Sequence, residues 1–96
     1  MNRAEKFWNR LSKNYDKHAK DKAFKLIIKK SKKHLKTNDI ILDFACATGL
    51  YSFEFAENVK EIQAFDISSK MIGIARNKTK NNRVDNISFS RTTLFD

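Results

Sequence analysis

Apolar residues follow two different rhythms along this chain. Up to residue 36 they recur every three or four positions. Beyond it they gather in short runs separated by helical stretches. Phe7, Trp8, Leu11 and Tyr15 recur at helical spacing, with Lys6, Arg10, Lys13 and Lys17 elsewhere on the wheel, which predicts an amphipathic helix over 4–18. Asp21 suits the N-cap of a second helix over 22–36, burying Phe24, Ile27, Ile28 and Leu35 and leaving Lys25, Lys29, Lys30, Lys32 and Lys33 in water. Both apolar stripes are expected to pack on a core. Thr37-Asn38-Asp39 reads as a turn. Ile40–Phe44 is then a first strand, and its near-continuous apolar run suits a parallel strand covered on both faces. A helix over 50–58 should bury Leu50, Phe53, Phe55 and Ala56, with Asn58 placed for a left-handed stop. Glu61–Asp66 alternates as a second strand. Ser68 or Ser69 caps a helix over 69–81 that buries Met71, Ile72, Ile74 and Ala75. Residues 81–86 form a loop, and Ile87–Arg91 a third strand. The order α-α-β-α-β-α-β implies an α/β fold: a three-stranded parallel sheet with right-handed crossovers, preceded by two helices.

Charge divides the chain at the same place as the rhythm. The net charge is +9, yet residues 1–36 hold 13 Lys/Arg against 3 Asp/Glu, while residues 37–96 hold 7 against 8. We therefore expect a basic helical leader over 1–36 and a second unit over 37–96. Such asymmetry marks contact with nucleic acid or an acidic membrane surface, or simply a solvated helix face. Lys far outnumbers Arg and no aromatics sit among the charges as stacking platforms, so nucleic-acid binding is not favoured. No run approaches the roughly 20 apolar residues of a membrane span. A charged start without an apolar signal core and a lone Cys46 suggest the cytoplasm. His18 and His34 have no partners at metal-ligand spacing, and no metal is expected.

The chemistry concentrates at the strand ends. Asp43 and Asp66 close the first two strands 23 residues apart, one strand–helix–strand unit, so they should lie side by side at one rim, where open α/β sheets bind ligands. Between Asp43 and the next helix, Ala45, Ala47 and Gly49 keep alternate positions small, letting a ligand approach the backbone. Asp66 is placed to accept two hydrogen bonds from a ribose diol, and Ile67 and Met71 to sandwich a flat base. Plainer readings stand beside these. Asp43 can cap the turn, Asp66 can serve the helix dipole, Ile67, Met71 and Tyr15 can be core, and Cys46 can be a small buried filler.

These residues resemble the S-adenosylmethionine-dependent methyltransferases of the Rossmann-like class I fold. The family's acid-x-Gly-x-Gly-x-Gly motif reads here Asp43-x-Ala45-x-Ala47-x-Gly49. Asp66 in Phe65-Asp66-Ile67-Ser68-Ser69-Lys70-Met71-Ile72 matches its second motif, and Phe7-Trp8-Asn9-Arg10-Leu11 through Asn14-Tyr15-Asp16 is similar to the leading helix of many small-molecule members. The resemblance implies S-adenosylmethionine as cofactor. Asp43 and the turn backbone at Ala45, Ala47 and Gly49 would hold its amino-acid end, Asp66 its ribose, and Ile67 and Met71 its adenine, while Tyr15 closes over it. It also implies a small-molecule methyl acceptor. Two family glycines are alanines here. Ala tolerates such a turn only where φ is negative; Ala45 is expected to be harmless and Ala47 to weaken binding. Where the family has an acid facing adenine, the nearest positions here are Arg91-Thr92-Thr93, with Asp96 further on, and a hydroxyl of Thr92 or Thr93 would take part of that role.

Family members have seven strands, and three are present here. The expectation is the N-terminal portion of such a domain, with the first strand left as an edge, marginally stable alone and catalytically silent, its catalytic residues beyond residue 96. Two rival readings remain open. A dinucleotide-binding oxidoreductase fragment needs Gly-x-Gly-x-x-Gly, whereas the small residues here follow a two-residue period. A basic nucleic-acid module on residues 1–36 would show salt-sensitive binding without residues 37–96.

Overall fold

A computed structural model describes residues 3–12, 15–16 and 20–92. The strands β1 (Ile40–Phe44), β2 (Glu61–Asp66) and β3 (Ile87–Arg91) form a parallel sheet in the order β1-β2-β3. Asp43 registers with Ala64, and Asp66 with Arg91. Two helices, α1 (Arg3–Leu11) and α2 (Lys22–Lys32), precede the sheet. The crossovers are α3 (Leu50–Phe55), continued by a 3₁₀ turn Ala56–Asn58, and α4 (Ser69–Asn82). The α/β class and every expected strand are therefore present.

Successive right-handed crossovers put both connecting helices on one face of the sheet. That face carries Ile41, Ile62, Ala64 and Phe89, packed with Cys46, Ala56, Val59, Ile72 and Ala75. Ile62 and Ile72 are fully buried, worth about 2–3 kcal/mol each. The opposite face is open. Ile40, Leu42 and Phe44 on β1 are 54%, 56% and 57% exposed, and Phe44 stacks on Phe65 there at 5.3 Å. The expectation that β1 is covered on both faces is corrected: among the described residues nothing lies over this side. β1 is an edge strand, as expected.

Local signals explain most element ends. The Asp21 carboxylate accepts the Phe24 N–H at 2.9 Å and starts α2, while Lys33 closes it short of residue 36. Ser68 Oγ accepts the Met71 N–H and starts α4. Arg83, at φ 54°, closes α4 in the left-handed region, its N–H bonded to the Thr79 carbonyl. The left-handed stop expected at Asn58 is absent; α3 tightens into 3₁₀ and passes to extended Val59 (φ −136°), whose side chain is buried.

The leader departs furthest from expectation. On α2, Phe24 and Ile28 pack with Leu50 and half-buried Tyr15, but Ile27 is 47% exposed. The six-residue α3 supports only a narrow stripe. On α1 the expected core residues Phe7, Trp8 and Leu11 are exposed, and the polar residues Glu5 and Asn9 are buried. The reason is that α4 offers α1 its N-terminal turn, which calls for acceptors rather than hydrocarbon. The parts of the expected 4–18 helix at residues 13–14 and 17–18 lie outside the described residues.

Candidate functional site

Side chains alternate along a strand, so the β1–β2 register places Asp43, Ala64 and Asp66 on the same face of the sheet, Asp66 two residues nearer the strand tips. The Asp66 carboxylate bridges two segments. Its Oδ2 accepts the Ala47 N–H at 2.7 Å, and its Oδ1 accepts the Ser68 N–H at 2.9 Å. One acid thus ties the turn after β1 to the start of α4. It is 8% exposed: buried, and already accepting two backbone donors. Each oxygen retains a second lone pair. Asp43 Oδ2 accepts the Ser52 hydroxyl at 2.8 Å, and no described residue donates to Oδ1. Burial pushes the Asp43 carboxyl above the ordinary carboxylate value; the Ser52 hydrogen bond opposes this, and the Asp66 charge adds to it. The two acids therefore feel one another.

The turn between β1 and α3 is built from left-handed residues at alternate positions: Ala45 at φ 62°, Ala47 at φ 52° and Gly49 at φ 84°. This is the conformation in which a Cβ costs about 1 kcal/mol or more. The view of Ala45 as harmless is therefore corrected, since both alanines carry strain that glycine would not. Gly49 is fixed by packing as well as by φ. A Cβ there would stand 2.7 Å from Phe89 Cζ and 3.1 Å from Phe53 Cε2. Ala45 is exposed, but Cys46 through Gly49 are buried. Burial, then the Asp43 and Asp66 charges, push the Cys46 thiol up to about 12, so it is no nucleophile at neutral pH.

What buries the turn includes the leader. The Thr48 hydroxyl donates to Asp16 Oδ1, and Lys78 Nζ lies 2.6 Å from Asp16 Oδ2 and donates to the Thr48 carbonyl at 3.2 Å. Burial raises the Asp16 carboxyl, but Lys78 and Thr48 outweigh it and hold the group below its ordinary value. Tyr15 packs on the Phe24–Ile28–Leu50 cluster. Its hydroxyl is raised by burial and then by Tyr51, Asp66, Asp16 and Asp43, which places it within electrostatic reach of both strand-end acids. Farther out, Asn9 Oδ1 accepts the Ser68 hydroxyl and the Lys70 N–H (3.2 Å). Glu5 accepts the Ser69 N–H at 3.4 Å and pairs with Arg91 at 3.0 Å.

Of the residues expected at the site, Asp43, Ala45, Ala47, Gly49, Asp66 and Tyr15 gather here. Ile67 is half-buried beside them, its carbonyl held by Arg91 Nε at 3.2 Å. Met71 is a correction: at 0% exposure it has no surface for a ligand and is core. Thr92 is half-buried and gives its N–H to the Asp66 carbonyl; Thr93 and Asp96 lie outside the described residues. The sequence reading missed Glu5, Asn9, Asp16, Ser52 and Lys78. Glu5 and Asn9 stand one turn apart on a helix, a spacing that marks a shared polar face but was masked by the stronger apolar stripe. Among the described residues no group of three His, Cys, Asp or Glu is placed to hold a metal, and no helix is long and apolar enough to cross a membrane.

Comparison with known proteins accords with this geometry. The methyltransferase domain family matches residues 41–96. Among solved structures, DhpI in complex with SAH superposes with a TM-score of 0.77 at 22% identity, over 95% of this chain and 44% of its own. The YcgJ protein from Bacillus subtilis gives 0.64 at 24% identity, over 71% and 28%. A SAM dependent methyltransferase from Aquifex aeolicus gives 0.63 at 21%, over 69% and 38%. The chain thus spans less than half the length of each, and at these identities the likeness establishes the fold. A comparison with curated proteins finds no match. With the family model matched from β1 onward, over more than half of its length, the chain belongs to the methyltransferase domain family.

Proposed function

We propose that residues 37–96 are the cofactor-binding portion of a methyltransferase acting on a small-molecule acceptor in the cytoplasm, and that residues 1–36 are a basic leader closing over it. The observation that carries this reading is the Asp66 carboxylate reaching the Ala47 N–H, which joins the two motifs into one rim. The residues suit the cofactor's chemistry. Asp43 Oδ1 has an acceptor to give an ammonium group, and the short side chains of the turn let a ligand reach the backbone. Asp66, through its second lone pairs, would accept from the ribose hydroxyls, and Ile67 would flank the adenine. When bound, S-adenosylmethionine supplies an electrophilic methyl on a sulfonium. The chain's contribution is alignment and exclusion of water. Tyr15, and Asp16 through its ties to Thr48 and Lys78, cover the turn from the solvent side.

The test is calorimetric titration of the full chain with S-adenosylmethionine, S-adenosylhomocysteine and NAD. Heat is expected with the first two and none with NAD, and Asp66→Ala should weaken binding about tenfold or more, the worth of one charge-assisted hydrogen bond. A folded chain that takes up neither adenosyl compound, or an Asp66→Ala variant that binds undiminished, overturns the reading. Alone, the chain is expected to bind cofactor without turnover.

A further inference from the structure

Helix α1 is divided into three sectors. At about 100° per residue, Glu5 and Asn9 share an arc of about 40°, and both are buried, as is Ser12 just past the helix end. Phe7, Trp8 and Leu11 occupy a second arc of about 100°, and they stand 51%, 38% and 43% exposed. Arg3, Lys6 and Arg10 fill the sector between these, all exposed. The helix is thus held to the protein by its polar side, and the side that a helix normally buries faces water. Phe7 and Trp8 meet each other edge-on at 5.2 Å. Helix α2 repeats the theme: Leu26 and Ile27 are 52% and 47% exposed, next to exposed Lys22, Lys25, Lys29 and Lys30.

We propose that the leader is an interfacial surface for anionic lipid. The Phe7–Trp8–Leu11 stripe enters the boundary between headgroups and acyl chains, and Arg3, Lys6, Arg10 and the α2 lysines engage lipid phosphates. Charge complementarity selects the occupant: residues 1–36 carry 13 Lys/Arg against 3 acids. Phe7 and Trp8, exposed between Lys6 and Arg10, do offer two stacking faces, a correction to the sequence reading. Exposed Leu11, Leu26 and Ile27, however, add apolar surface that suits acyl chains and has no stacking face for a base, so lipid fits better than RNA. Eleven of the 13 cations are lysines, point charges suited to a diffuse phosphate surface rather than to bidentate recognition. Helices of 9 and 11 residues lie on a bilayer rather than across it. This surface is separate from the cofactor rim and does not depend on its reading.

Trp8 is the only tryptophan, so its emission reports on α1 directly. The full chain is mixed with vesicles of phosphatidylcholine alone, or of phosphatidylcholine with phosphatidylglycerol. Co-sedimentation and a blue shift of Trp8 are expected only with the anionic vesicles, weakening as salt is raised. The double variant Phe7→Ser, Leu11→Ser alters exposed side chains and should keep its far-UV circular dichroism while losing about tenfold or more in vesicle affinity, since two inserted side chains are removed. Lys29→Glu with Lys30→Glu should weaken it as well. No phosphatidylglycerol-dependent shift overturns the proposal. So does binding of single-stranded RNA, undiminished by the serine variants, with vesicles left unbound.

Discussion

At the scale of single residues, the turn after β1 holds letters and conformation in tension. Ala45 and Ala47 sit at φ 62° and 52°, where glycine is the unstrained choice. Ala45→Gly removes strain and exposes nothing, because that side chain is already in water. Ala47→Gly also loses a small buried methyl. Each should raise stability, by about 0.5–1 kcal/mol for Ala45→Gly and somewhat less for Ala47→Gly, read from the midpoint of urea unfolding. Gly49→Ala should act in the opposite direction. Its Cβ meets the Phe89 ring at 2.7 Å in a backbone already at φ 84°. Positive φ and overpacking together should cost about 2–4 kcal/mol, a large part of a small domain's stability. The spacing Asp43-x-Ala45-x-Ala47-x-Gly49 was enough to mark this turn and its neighbour Asp66. The left-handed backbone at the alanines was not legible, because alanine's own preference is for negative φ and only the tertiary ties of the turn override it.

At the scale of elements, periodicity located every strand and both crossover helices, because each packs at least one apolar face against the shared core, although β1 leaves its second apolar face open. It misread α1, where capping competes with burial. The start of α4 presents N–H groups that Glu5 and Asn9 satisfy, and this decides the helix's orientation against its hydrophobic stripe. Docking by carboxylates makes the leader sensitive to acid. Burial raises Glu5, but Ser69 and Arg91 outweigh it and hold the group below its ordinary value; Asp16 is likewise held low by Lys78 and Thr48. A carboxyl lowered on folding contributes stability above its unfolded value and loses it as pH falls through its folded value. Those unfolded values are 4.5 and 3.8, so the leader should loosen as pH drops below about 4. Asp43 has the reverse sign: its raised carboxyl favours the fold at low pH and weakens it as pH rises through the folded value. Acid should therefore free α1 before it unfolds the sheet. Trp8 emission should change at a higher pH than the far-UV signal; coincident transitions would contradict this order.

At the scale of the whole molecule, the sheet is covered on one face only among the described residues. The covered face closes around Ile62, Ala64, Ile72 and Phe89, while the other offers Ile40, Leu42 and Phe44 to water along an edge strand. Unpaired N–H and C=O groups beside an apolar stripe form a template for another strand. β1 carries no lysine or proline to blunt that edge, and its single charge, Asp43, points to the helical face. The chain by itself should therefore self-associate as its concentration rises. Leu42 is the residue to change, because it lies at the middle of β1 on the open side and is 56% exposed. Leu42→Lys places a charge there without removing anything from the closed core. It should leave the far-UV circular dichroism unchanged and hold the chain monomeric in size-exclusion chromatography with light scattering, where the parent chain shifts to larger species. Ile41→Lys is the matched control. Ile41 packs against the buried cluster on the helical side, so a lysine there should unfold the chain instead of solubilising it. If Leu42→Lys associates as readily as the parent, some other surface drives assembly, and the exposed stripe on α1 becomes the one to test next.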